Sequence, residues 1–128
     1  MAYDYIQFDN QIAKTIEDAA CFCFGTLAQR SAVSRQALND SLSKFTGRFN
    51  LLDINLRKNC YSYETIKSSL EQANTVKLND EELAHLTAIL GLQGQAPANR
   101  AEDLLKRSGL QYVVVTLGER GAFAISQE

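Results

Sequence analysis

Three short stretches hold the side chains that could do chemistry, and each lies where an apolar run stops. In "LLDINLR", Asp53, Asn55 and Arg57 alternate with apolar residues. On extended backbone successive side chains point to opposite faces, so these three would share one side. Asp53 and Arg57 would then be roughly 13 Å apart at ~3.3 Å per residue, too far to neutralise each other. Each needs another partner, from the protein or from a ligand. The plainer account is a loop with ordinary surface ion pairs.

The second stretch is "VKLNDEEL", residues 76–83. Asn79 followed three residues later by Glu82 is a capping-box signature, with asparagine as N-cap. The acids also suit the positive end of a helix dipole. This accounts for "NDEE" without any ligand, whereas Lys77 beside it suits a phosphate. The third stretch, "TLGERGA", offers Gly118 and Gly121, which allow backbone conformations closed to other residues. Free N–H groups in such a turn can hold phosphate oxygens, and a simple hairpin turn is the alternative. Neither G-x-G-x-x-G nor G-x-x-x-x-G-K-[ST] occurs, so dinucleotide and P-loop readings fail.

The elements that must position these residues follow a rhythm of apolar runs and amphipathic stretches. "FDNQIAKTIEDA" predicts a helix with Ile12 and Ile16 inward, and "AACFCFGTL" a strand closed by Gly25. "SRQALNDSLSKF" predicts a helix with Ser34 as N-cap and Leu38, Leu42 and Phe45 on one face. The strand "FNLLDINL" leads to the helix "SYETIKSSLEQA", with Ile66, Leu70 and Ala73 aligned. "TVKLN" leads to "DEELAHLTAIL", which turns Leu83, Leu86, Ile89 and Leu90 inward and stops at Gly91. A loop, "GLQGQAPAN", holds the only proline, and the helix "RAEDLLKRSG" follows. "LQYVVVTLG" reads as a strand whose three valines are buried on both faces, and "AFAIS" as a last strand. Strands alternating with helices mean βαβ units, hence one α/β domain over 1–128 with a Rossmann-like parallel sheet flanked by helices. In such sheets ligands bind beyond the carboxyl ends of the strands, where the three stretches lie.

Composition sets the outer limits. The 128 residues suffice for one domain with a real core. Thirteen Lys and Arg against fifteen Asp and Glu give no electrostatic reason to expect nucleic acid or an anionic membrane. No apolar run approaches the ~18 residues of a membrane span, and the first residues lack a secretory pattern. Cys21 and Cys23 alternate on one strand face and suit buried thiols. No C-x-x-C or Cys/His ligand spacing occurs, so a reducing, cytosolic setting is expected.

"DINLR", "VKLNDEEL" and "VVVTLGERGAF", in this order and spacing, resemble the PfkB (ribokinase-like) family of carbohydrate kinases, and its fructokinase-like members most. "FGTLAQRSAVSRQAL" resembles the segment that precedes the Asp-x-Asn-x-Arg stretch in those proteins. The resemblance implies a partial ribokinase-like fold and ATP-dependent phosphorylation of a sugar hydroxyl, with ATP and Mg²⁺ as cofactors. It places Asn55 and Arg57 on the sugar side and Asn79 and Glu82 in the N-x-x-E motif associated with Mg²⁺ and phosphate. It also places Thr116, Gly118 and Gly121 in the loop approaching the nucleotide, with Lys77 as a further nucleotide contact. Such a cluster suits phosphoryl transfer, which depends on positioning and charge neutralisation.

The same resemblance implies what is missing. Family members carry first sugar contacts and lid strands upstream, and a G-A-G-D segment downstream with the activating aspartate. Neither has a counterpart here, so the chain is expected to be the central part of a sugar kinase, inactive alone. Its exposed sheet edges and apolar surface are expected to self-associate or take a partner chain. "NLLDINL" also reads like the phosphoacceptor strand of a receiver domain, but the acidic pair and late Lys-Pro of that class are absent. A non-catalytic α/β module is the remaining alternative.

Overall fold

The computed structural model describes residues 1–57 and 60–127. Among the described residues five α-helices and five strands follow one another: α1 Asn10–Asp18, β1 Cys21–Phe24, α2 Ala32–Lys44, β2 Phe49–Asp53, α3 Tyr63–Gln72, β3 Thr75–Asn79, α4 Asp80–Leu90, α5 Pro97–Arg107, β4 Tyr112–Thr116 and β5 Ala122–Ser126. The strands form one sheet in sequence order. β1 to β4 are mutually parallel, and β5 returns antiparallel to β4. The expected parallel sheet is therefore mixed. Its last strand follows a turn too short for a crossover, which forces the reversed direction.

One sheet face holds the core. Phe24, Leu52, Val76, Leu78, Val113 and Val115 alternate inward and meet Ile66 and Leu70 of α3, Leu83 and Leu86 of α4, and Ala101, Leu104 and Leu105 of α5. Burying each large side chain contributes about 1.5–3 kcal/mol, offset by the entropy of ordering the chain. The opposite face, carrying Cys21, Cys23, Leu51, Asp53, Lys77, Val114 and Ala124, is half-buried or exposed. There the rings of Phe49 and Tyr112 meet at 6.1 Å, over strands flanking Thr75, which is buried.

That open face corrects two expectations. Cys21 and Cys23 do share a face, but both are exposed. Val113 and Val115 are buried whereas Val114 is only half-buried, so β4 is covered on one side. Alternation assigns side chains to faces but says nothing of whether a layer covers each face.

Local signals hold in most places. Asp9 caps α1, Ser62 caps α3, and Gly91 ends α4 in the left-handed region at φ +66°. Ile16 is buried and Ile12 half-buried, as a helix face toward the core requires. Ser34 is not an N-cap: α2 begins after Ser31, and Ser34 lies a turn inside. Its hydroxyl donates to Tyr3 O at 2.6 Å and accepts from Ile6 N at 3.0 Å. Together with the Arg30–Asp4 ion pair at 2.8 Å, this fastens the amino-terminal turn to the start of α2. Pro97 lies inside a helix rather than a loop, at the first position of α5, where its missing N–H costs nothing.

Candidate functional site

β2 ends at Asp53, one residue before the buried Ile54, whose N–H still bonds Lys77 O at 2.9 Å. Ladder pairing stops there, but the inward–outward alternation goes on: Ile54 is buried and Leu56 half-buried, whereas Asp53 is half-buried and Asn55 and Arg57 are exposed. Asp53 finds its partner across the ladder: register sets it opposite Lys77, and the two form an ion pair at 3.2 Å. As expected, it does not pair with Arg57. Asn55 and Arg57 are exposed just past the strand end, and Lys58 and Asn59 lie outside the described residues.

The capping box at the β3–α4 junction forms in full. Asn79 Oδ1 accepts Glu82 N at 2.8 Å, and Glu82 Oε1 accepts Asn79 N at 3.0 Å. Glu82 does more than cap, because its Oε2 accepts Leu56 N from the β2–α3 segment at 2.9 Å. Neighbouring Asp80 binds Arg120 at 2.9 Å, which draws the β4–β5 turn to the start of α4. Register also sets Thr116 opposite Asn79. The first turn of α4 thus touches both other candidate stretches.

In the β4–β5 turn Gly118 and Gly121 take φ of +61° and +93°, which explains glycine at both places. The N–H of Gly121 bonds Gly118 O, and that of Arg120 bonds Leu117 O. The free amides expected here are therefore those of Gly118 and Glu119, which bond no described residue, rather than that of Gly121. A cleft of about 280 Å³ opens beside the ends of β1 and β2, lined by Gly25, Thr26, Asp53 and Asn55 among others. The Thr26 hydroxyl there is buried without a hydrogen-bond partner among the described residues. Residue types and spacing gave no signal for Thr26. They gave none for the Tyr61–His85 bond at 2.6 Å either, beside a second cleft of about 210 Å³ bordered by Leu56 and Glu82.

The electrostatics are those of an open rim. Lys77 and Asp53 are 40% and 42% exposed, so their pairing contributes at most about 1 kcal/mol. Lys77 therefore remains accessible to an anion. Although Cys23 is exposed, its thiol is pushed up, first by partial desolvation on the sheet and then by the negative charge of Asp53. Among the described residues no group of three or more His, Cys, Asp or Glu side chains could hold a metal by itself. Asn79 Oδ1 and both Glu82 oxygens each already accept one N–H, leaving spare acceptor capacity on each. That donor set fits a hydrated Mg²⁺ held through its waters, since Mg²⁺ keeps several waters in protein sites.

The fold recurs in solved structures. A PfkB protein from Polaromonas sp. JS666 superposes with a TM-score of 0.77 at 20% identity, covering 97% of this chain and 43% of that one. Fructokinase with bound ATP from Xylella fastidiosa gives 0.72 at 21% identity, covering 89% of this chain and 36% of that one. Fructokinase from Vibrio cholerae O395, in a form with fructose, ADP and calcium ion bound, gives 0.72 at 22% identity, covering 96% and 40%. The chain thus spans less than half the length of these structures. No curated protein sequence matches it. The sheet order and antiparallel edge part from the 2-1-3-4-5 parallel order of a receiver domain. Residues 6–128 match the description "pfkB family carbohydrate kinase", and the chain belongs to that family.

Proposed function

We propose that this chain forms the central part of an ATP-dependent, fructokinase-like sugar kinase, contributing one wall of the crevice where the γ-phosphoryl group moves to a sugar hydroxyl. The observation that carries this reading is the convergence at adjacent strand ends. Asp53 stands opposite Lys77, Asn79 opposite Thr116, and Arg120 on Asp80 brings the glycine turn alongside. Asn55 and Arg57 face the sugar, with the Thr26 cleft beside them. Lys77, Thr116, Gly118 and Gly121 serve the nucleotide, the open amides of Gly118 and Glu119 meeting phosphate oxygens. Asn79 and Glu82 would help hold Mg²⁺, which would neutralise phosphate charge.

Phosphoryl transfer requires positioning and preorganised charge more than covalent chemistry. These residues supply a cation, amide donors and carboxylates in fixed relation, and the deprotonation of a sugar hydroxyl is assigned to none of the described ones. The chain alone is therefore inactive and acts with the remainder of a kinase fold, in the cytoplasm. Among the described residues no helix is long and apolar enough to cross a membrane.

The test is amide NMR of the 128-residue chain titrated with ATP and Mg²⁺. Shifts concentrated at Lys77, Asn79 and Thr116–Gly121 are expected, with no turnover of fructose. Saturable shifts confined to residues away from these strand ends would overturn the site. Stoichiometric labelling of Asp53 by acetyl phosphate would favour a phosphoacceptor instead.

A further inference from the structure

A capping box needs one acceptor oxygen at its third position, and glutamine serves there as well as glutamate. Glu82 uses both oxygens, and the second reaches a backbone amide 26 residues upstream. We infer that Glu82 is a positioning residue: its carboxylate clasps Leu56 to the β3–α4 junction and so sets how Asn55 and Arg57 are presented. The importance of that presentation rests on the proposed kinase reading; the clasp itself does not.

The ladder between β2 and β3 makes its last bond from Ile54 N to Lys77 O, and the strand then stops. Glu82 is the partner of Leu56 N among the described residues, and Leu56 is itself half-buried. With that bond, Asn55 lies between two anchored amides. Ile54 is buried, Leu56 packs against the core, and Asn55 is turned outward between them. A carboxylate is the group that meets two N–H donors at once, through charge-assisted bonds. Glutamine at this position would satisfy one donor and present its own NH₂ to the other. Two residues before Glu82, Asp80 meets the β4–β5 turn through an exposed ion pair with Arg120. The first turn of α4 therefore contacts both neighbouring crevice segments, and Glu82 anchors the one on the sugar side.

The test uses the 128-residue chain without sugar or nucleotide, so its failure is distinguishable from failure of the kinase reading. In the unsubstituted protein a scalar coupling across the hydrogen bond is expected between the Leu56 amide nitrogen and the Glu82 carboxyl carbon. Its absence would overturn the clasp, whatever the variants do. In Glu82→Gln, amide exchange at Leu56 is expected to accelerate about tenfold, while Leu86 in α4 keeps its protection. Backbone order parameters at Asn55 and Arg57 are expected to fall to about 0.6 or below. A uniform loss of protection throughout β3, α3 and α4, with Asn55 as ordered as before, would reduce Glu82 to a helix cap and overturn the inference.

Discussion

Replacing Asn79 by alanine isolates the cap from the rest of the crevice. The substitution removes Oδ1, which accepts Glu82 N at 2.8 Å, and leaves that N–H without a partner at a half-buried helix start. The reciprocal bond from Asn79 N to Glu82 survives, because its donor is backbone. Loss of an N-cap of this kind costs about 1 kcal/mol. At ~2.1 cal/mol/K per residue, unfolding of 128 residues carries an entropy of about 0.27 kcal/mol/K. Asn79→Ala should therefore lower Tm by about 4 °C. Asn79→Asp keeps an acceptor, and the helix dipole favours its charge, while the Asp80 and Glu82 carboxylates oppose it. These effects nearly cancel, and a change within about 2 °C is expected. Calorimetric melts of the three proteins at pH 7 decide the matter. An alanine variant as stable as the parent, or an aspartate variant as damaged as alanine, would refute the capping argument.

Acid should loosen the amino-terminal turn. The Arg30 guanidinium holds the Asp4 carboxyl well below the usual carboxylate range, so its folded pKa lies under its unfolded value. Its stabilisation is complete above the unfolded pKa of about 3.9 and is lost as pH falls below it, so amide protection at Ile6 should fall there and lose that pH dependence in Arg30→Ala. Lys77→Met should cost less than about 1 kcal/mol, because its ion pair with Asp53 is exposed, whereas Leu52→Ala in the fully buried core should cost about 2–5 kcal/mol; urea unfolding of both checks the contrast. The open sheet face should drive self-association that Val114→Lys weakens, and sedimentation showing a compact monomer at high concentration would refute this.

What the sequence determined by itself is what closes within one helical turn or one strand. The Asn79–Glu82 box, the Gly91 stop and the inward Leu83 and Leu86 depend on spacings of three or four residues, which residue types alone set. The glycines of the β4–β5 turn were legible for the same reason, since positive φ is a property of a single residue. Only the tertiary structure decided which strand ends are neighbours. Asp53 meets Lys77 and Asn79 stands opposite Thr116 because register fixes them, and no local pattern records register between strands 24 or more residues apart. Arg120 reaches Asp80 across 40 residues, and Ser34 abandons the cap for Tyr3, because short polar side chains take whichever partner packing delivers. Exposure of Cys21 and Cys23, and of half of Val114, was likewise beyond the sequence. Alternation sorts side chains between two faces, but whether a second layer covers a face depends on what else is folded against it.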